Sequence, residues 1–378
     1  MPIYKTDRPK NKDGKNQYQV KVNYVDSTGK KHAFRRNVYG LAEAKELEDQ
    51  LIKSVKNPNK IPCSIPTLNQ LHDELCAALT GEIRESSLSK KKRDYKHHIQ
   101  PLLGDVSIDK LSPSLLIKWK SYIKEKNLVL TTQRNIYKEF RAHLNFAIRM
   151  KYITDNPLDA VGNFQDSEYE EAEMKFYTPE QFNLYKLAAL QHCQERDCMD
   201  FYIFFCIAYY TGCRKGEIHA LRWSRIVGNV LDIKRSINQK ENGRDVETLP
   251  KTKKSKRKIK IPNALLEILN QHKQRQQHFC KTHGLDWSED YFICGMLKPL
   301  RDSTIDNKNR RFANLANLPH IRIHDFRHSH ASLLINEGVN VLDISKRLGH
   351  KDAHETLRTY AHLFPSEEEK TLDVLEKI

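Results

Sequence analysis

The sequence predicts a mainly α-helical chain with small β-sheets, an α+β protein built of several modules. Three observations lead there. At 378 residues the chain exceeds one ordinary core, and two or three domains are expected. Strand-like stretches are few and short, within 17–38, 230–237 and 258–261. Elsewhere apolar residues recur at helical spacing between Gly, Pro and Asn breaks.

Gln17–Val25 alternates and reads as a strand, 26–29 as a turn and 31–38 as the returning strand. The stretch 41–55 fits an amphipathic helix with Leu41, Ala44, Leu47 and Leu51 on one face. Lys5, Arg8, Lys10, Lys12, Lys15, Lys21, Lys30, Lys31, Arg35 and Arg36 stand against only Asp7, Asp13 and Asp26. So basic a small sheet suits a DNA groove. Residues 56–66 form a linker on composition. Thr67 with Gln70 then resembles a capping box. Helices are expected at about 67–80, 86–100, 112–126 and 130–150, with breaks at Gly81, 101–104, Ser112-Pro113 and Asn127. Lys90, Lys91, Lys92, Arg93, Lys96, His97 and His98 gather near one helix start.

The stretch 152–174 reads as a second connector with an acidic run at Glu168, Glu170, Glu171 and Glu173. Pro179 opens a new helix. Residues 201–210 form a buried helix on composition, broken by Thr211-Gly212 just before Arg214. Glu217, Ala220 and Leu221 continue another helix. Strands at 230–237 and 258–261 flank the basic turn PKTKKSKRK, and helices follow at 264–279 and 304–315.

The hydrophobic fraction of 39% is that of a folded protein, and no apolar run approaches the ~18 residues of a membrane helix. MPIYKTDRPKNKDGK lacks the apolar core of a signal peptide. A net charge of +16 favours a polyanionic partner, most simply nucleic acid. Cys63, Cys76, Cys193, Cys198, Cys206, Cys213, Cys280 and Cys294 form no C-x-x-C pair, as expected of buried thiols in a reducing cytosol.

The chemistry concentrates in HDFRHSHASLLINEGVNVLDISKRLGHKDAHETLRTY, residues 324–360. His324 and Arg327 lie three apart, on one helix face. Asp325 suits the start of that helix as a cap, and Gly338 its end past Leu333 and Leu334. A second helix, Val341–Leu348, should stop at Gly349 and leave His350 on a turn. A third, about 353–364, carries Tyr360 and is stopped by Pro365. Cations to hold an anion and a hydroxyl to attack it suit a phosphodiester. His324, His328, His330, His350 and His354 lack a carboxylate or cysteine set with ligand spacing, so no metal site is implied.

Four blocks, TGCRKGEIHALRW, PKTKKSKRKIKIP, HDFRHSHAS and LGHKDAHETLRTYAHL, resemble the tyrosine recombinases, specifically integrases of temperate phages and integrative elements. The resemblance is detailed over 174–370 and follows the same order over the N-terminal modules. It departs at Cys213, where the family often has an apolar residue, and burial suits both. It implies an arm-site DNA-binding domain at 1–60, a helical core-binding, SAM-like domain at 61–165 and a mixed α/β catalytic domain at 174–378. It implies strand exchange through a 3′-phosphotyrosine intermediate without cofactor or metal. Its partners would be double-stranded DNA attachment sites of core and arm type, bound by a homotetramer in the cytoplasm of a bacterial host. The resemblance also admits an excisionase and a host DNA-bending protein. Leu372, Leu375 and Ile378 in the tail would pack on a neighbouring protomer or on their own domain.

The site residues this implies are Arg214, Lys251, His324, Arg327, His350 and Tyr360. Each role has a physical basis. Arg214 and Arg327 would grip phosphoryl oxygens with permanently charged forks. His324 and His350 would donate to the pentavalent transition state, and His324 also suits acceptance of the phenol proton. Tyr360 would attack, its phenol (pKa near ~10) needing a base or nearby cations. Lys251, among Lys253, Lys254, Lys256 and Lys258, would protonate the leaving 5′ oxygen. Glu217 would steady the site. A type IB-like topoisomerase shares this pocket, and a non-catalytic DNA-binding regulator could keep the fold.

Overall fold

A computed structural model describes residues 3–6, 14–25, 31–56, 65–166, 173–241, 244–248 and 255–363. The chain divides into two compact units, Met1–Glu170 and Glu171–Ile378.

The first unit opens with a sheet of β1 (Ile3–Lys5), β2 (Gln17–Val25) and β3 (Lys31–Tyr39), all antiparallel in sequence order. Helix α1 (Leu41–Lys56) packs on it through Ala44 and Leu47, against Val20, Ile3, Tyr18 and Val38. Leu41, expected on that apolar face, is exposed instead: it is the first helical residue and lies outside the contact. Pairing puts Tyr4, Gln19 and Asn37 on the opposite face with Lys21 and Arg35. The expected turn at 26–29, and Arg8, Lys10, Lys12 and Lys30, lie outside the described residues.

A helical bundle follows: α2 (Leu68–Leu79), α3 (Glu85–His98), α4 (Gln100–Leu103), α5 (Pro113–Glu125) and α6 (Leu130–Arg149). The Thr67 and Gln70 side chains cap reciprocally, and Ser112 caps α5. Asn127 breaks the chain with φ +50°. Pro101 does not: it occupies the first turn of α4, where its missing N–H costs nothing. The basic cluster 90–98 runs through the middle and end of α3 rather than its start. Lys91 is engaged by Glu139 at 2.8 Å.

Residues 152–164 are not a free connector. Leu158 and Phe164 join the bundle core beside Trp119, Tyr137 and Phe140, with Tyr152, Ile153 and Val161 at its margin. Lys120 Nζ binds three carbonyls there, of Val161, Gly162 and Asn163, at 3.0–3.2 Å. Inside the bundle, His143 Nδ1 meets the Glu139 carbonyl at 2.8 Å, which makes that nitrogen the donor. Its Nε2 then accepts from His72 Nδ1 at 2.8 Å, and His72 Nε2 faces Cys76 Sγ at 3.4 Å. Three polar side chains are thereby satisfied without charge.

The second unit is built around α8 (Met199–Thr211), apolar on nearly all sides and buried by α7 (Pro179–Glu195), α10 (Asn263–Thr282) and α12 (Asp325–Asn336). Phe182 stacks on Tyr209 with centroids 3.6 Å apart. The short helix α9 (Lys215–His219) ends before Ala220 and Leu221, which the sequence suggested would continue it. The expected strand at 230–237 is two strands: β5 (Val230–Ile233) and β6 (Ser236–Glu241). With β4 (Ile226–Val227) and β8 (Arg257–Lys260), β5 forms a three-stranded antiparallel sheet, while β6 pairs with β7 (Arg244–Thr248). In sequence the basic run 250–258 thus follows β7 and ends within β8, rather than linking the two expected strands directly. Helices α11 (Asp302–Leu315), α13 (Val341–Leu348) and α14 (Ala353–Tyr360) complete the unit. The last helix gives way to a 3-10 turn at Ala361–Leu363, and the expected stop at Pro365 and the tail lie outside the described residues. No described helix is long and apolar enough to cross a membrane.

Candidate active site

The site gathers where three backbone breaks lie close together. Helix α8 ends at Gly212, φ +62°, whose missing Cβ leaves room for His330 and Leu348. Arg214 follows and opens α9. Helix α13 ends at Gly349, φ +69°, which packs against Arg257 and turns His350 inward. Helix α12 begins with His324 in helical geometry. Asp325 is not its cap: the carboxylate accepts from the Arg322 backbone N–H at 2.8 Å and pairs with the Arg322 guanidinium at 2.9 Å. It fixes the approach to the helix rather than its free N–H groups.

Arg327 is 3% exposed. One of its Nη atoms donates to the Gly212 carbonyl at 2.8 Å, whereas Nη2 is buried without a hydrogen-bond partner among the described residues. Burial, with Arg214 and Arg257 nearby, pulls its pKa down to about 10. Arg214 is half-buried; its backbone N–H donates to Glu217 Oε2 at 2.9 Å and its Nη1 to Oε1 at 3.2 Å. Its Nη2 reaches the Gly349 carbonyl at 3.5 Å, tying the two breaks together.

Glu217, 3% exposed, is also held by a buried Arg257 fork at 3.0 and 2.9 Å. Burial would raise its pKa, but Arg257 and Arg214 hold it below the usual range. Arg257 further donates to the Arg347 carbonyl at 2.7 Å, and Arg347 to His330 Nε2 at 2.9 Å. Cys213 is buried beside Arg257, as its position required.

His350 is buried and meets the Thr356 hydroxyl through Nδ1 at 2.6 Å, leaving Nε2 with no partner among the described residues. Burial and Arg327 lower its pKa to about 4. His324 keeps an exposed face, yet the surrounding protein, His328 and Arg327 also bring it to about 4. Tyr360 is 1% exposed, on α14 against Ala331, Ile335, Ile344 and Leu348. Burial pushes its phenol up to about 12, against the opposing pull of Arg327 and Arg214. Lys251 lies outside the described residues, as do Lys253 and Lys254.

Five of the six expected residues therefore lie together, with Arg214 and Arg327 acting on His324, His350 and Tyr360. Two others were not singled out. His328 Nδ1 lies 2.9 Å from Tyr360 Oη. Arg257 was hidden in a basic run; the alternation of RKIK, which sets it on the side of buried Ile259, was the available signal. His330 turns away to the Tyr209 carbonyl at 2.8 Å, so the three histidines of α12 and its start do not converge.

Family profiles match two stretches: the Phage integrase SAM-like domain over 67–165 and the Phage integrase family over 183–367. The chain belongs to the phage integrase family. It is a site-specific tyrosine recombinase, a DNA strand-transferase. The recombinase is 28% identical to the ICEBs1 integrase of Bacillus subtilis over 370 residues, 96% of this chain and 97% of that protein. It is 24% identical to a XerC-like tyrosine recombinase of Caldanaerobacter subterraneus, over 97% of each. Its fold matches the Tn1549 transposon integrase solved with circular intermediate DNA, at a TM-score of 0.66 and 19% identity, covering 82% of this chain and 99% of that one. It also matches the lambda integrase tetramer bound to a Holliday junction, at 0.55 and 18%, covering 94% and 96%.

Proposed function

We propose that this recombinase integrates and excises a mobile element by cutting and rejoining duplex DNA at attachment sites, with Tyr360 as nucleophile. The observation that carries the site assignment is the unmatched donor of Arg327. A buried guanidinium N–H without an acceptor is costly, and Arg214 beside it adds positive charge. A phosphodiester supplies the missing acceptor and the missing anion together. In this reading Arg214 and Arg327 hold the scissile phosphate, and His324 and His350, each with an uncharged imidazole, donate to its oxygens as charge builds. Lys251 protonates the leaving 5′ oxygen. Glu217, held by Arg257, fixes the Arg214 fork.

The finer assignments follow the same reading. Residues 1–60 hold arm-type sites through the open sheet face of Lys21 and Arg35; 61–165 and 174–378 grip the core site. The lambda neighbour was solved as a tetramer on a Holliday junction, which supports assembly on DNA. An excisionase and a DNA-bending protein of the bacterial cytoplasm are the further partners. End-to-end similarity to an integrase supports this over a topoisomerase or a silent regulator. The test is adduct formation on a nicked duplex carrying the core site mapped by footprinting. The unaltered chain should trap a covalent adduct and Tyr360→Phe none; an adduct with Tyr360→Phe overturns the nucleophile.

A further inference from the structure

We propose that the imidazole of His328, rather than that of His324, takes the phenol proton of Tyr360 during cleavage and returns it during rejoining. This rests on the reading of Tyr360 as nucleophile. His328 Nδ1 stands 2.9 Å from Tyr360 Oη, with ring centroids 5.5 Å apart and planes 66° apart. His324 instead meets the edge of His328, at 5.1 Å and 90°, and makes no hydrogen bond to the phenol among the described residues. Tyr360 is 1% exposed, so bulk water cannot serve as its acceptor.

The groups acting on this pair are His324, Asp325 and Arg327 on α12 and its start, Arg322 before it, Arg214 beside α9, and Glu355 on α14. Burial foremost, with Arg322 and Arg327 adding to it against Asp325, keeps His328 below the usual imidazole range. Near neutral pH the ring is uncharged and carries one free nitrogen lone pair. Such a ring can accept a proton but does not hold it long, which suits a step that must run both ways.

In cleavage the Tyr360 Oη–H bond breaks as Oη bonds to phosphorus, and the proton passes to His328 Nδ1. The P–O5′ bond breaks with its electron pair going to O5′, which takes a proton from the general acid assigned to Lys251. In rejoining, a 5′-hydroxyl attacks phosphorus and gives its proton to the group assigned to Lys251, the P–Oη bond breaks with its electron pair going to Oη, and the imidazolium gives its proton back to the phenolate.

The experiment measures adduct formation on the nicked duplex for His328→Gln and His328→Ala, each shown to melt and bind duplex as the unaltered chain does. The expected result is a slowing of about 100-fold or more in both. Incorporating 3-fluorotyrosine, a more acidic phenol, at Tyr360 should restore at least about tenfold of the His328→Gln loss. Raising the pH should also help that variant more than the unaltered chain. His324→Gln should gain nothing from the fluorinated ring. His328→Gln cleaving at the ordinary rate, or a loss that the acidic phenol leaves untouched, overturns the proposal and leaves His328 a packing contact. An adduct that survives Tyr360→Phe removes the nucleophile itself, and the proton assignment with it.

Discussion

Arg327 and Glu217 carry opposite burdens at the residue scale. Arg327 keeps a buried donor with no partner among the described residues, whereas both carboxylate oxygens of Glu217 are taken by arginines. Removing one partner of such a buried pair costs about 3–5 kcal/mol. Glu217→Ala should therefore lose stability on that scale in a urea melt, because Arg257 is left buried without its anion; a loss under about 1 kcal/mol would contradict the role given to the network. As neighbours, Arg214, His324, Arg327, His350 and Tyr360 were legible in the blocks that carry them, their roles being those proposed above. His328 was not, because in HDFRHSHAS the choice among three nearby imidazoles depends on where Tyr360 docks, and no local pattern encodes that.

At the scale of elements, the end of α8 does most to shape the site. Gly212 has φ +62°, its carbonyl accepts from Arg327, and a Cβ there would meet His330 Cδ2 at 2.7 Å and Leu348 Cδ2 at 2.8 Å. Gly212→Ala should lower stability by more than about 1 kcal/mol in thermal melts and slow adduct formation, since Arg214 and Arg327 both hang from this turn. A variant as stable and active as the parent would contradict it. The long helices were readable from caps and periodicity: Thr67 with Gln70 closes the expected reciprocal cap, and Pro179 opens α7, where the structure adds a second such cap between Thr178 and Gln181. The β6–β7 hairpin was not. SINQKE and RDVET are mostly polar, and only pairing to each other, with a register shift between Asn238 and Glu241, makes them strands.

For the whole molecule, charge and protonation give two separable expectations. A chain of net charge +16 that grips duplex through many phosphates should bind at least about 1,000-fold more weakly at roughly 200 mM salt than at 50 mM. Filter-binding across that range checks it; a flat response contradicts binding through the phosphate backbone. Stability should respond to acid. Burial holds His72 and His143 in the bundle at about 4, and His350 in the second unit likewise. Unfolded histidine titrates near ~6.5. Between these values the unfolded chain binds more protons, so stability is full above about 6.5 and falls as pH drops toward 4. Thermal midpoints should decline across that window, and a constant or rising midpoint would argue that these rings are charged when folded. The breaks of composition suggested three modules, and the chain divides into two compact units, Met1–Glu170 and Glu171–Ile378; the packing of 152–164 onto the bundle was not legible, because its apolar residues are too sparse to show a period.

The measurement closest to the core of this account is peptide mapping of the covalent species trapped on a nicked core-site duplex. The expected species is a DNA 3′-phosphate esterified to Tyr360 and to no other residue. An adduct on a different side chain, or a protein that binds the site tightly yet never becomes linked to it, would contradict it.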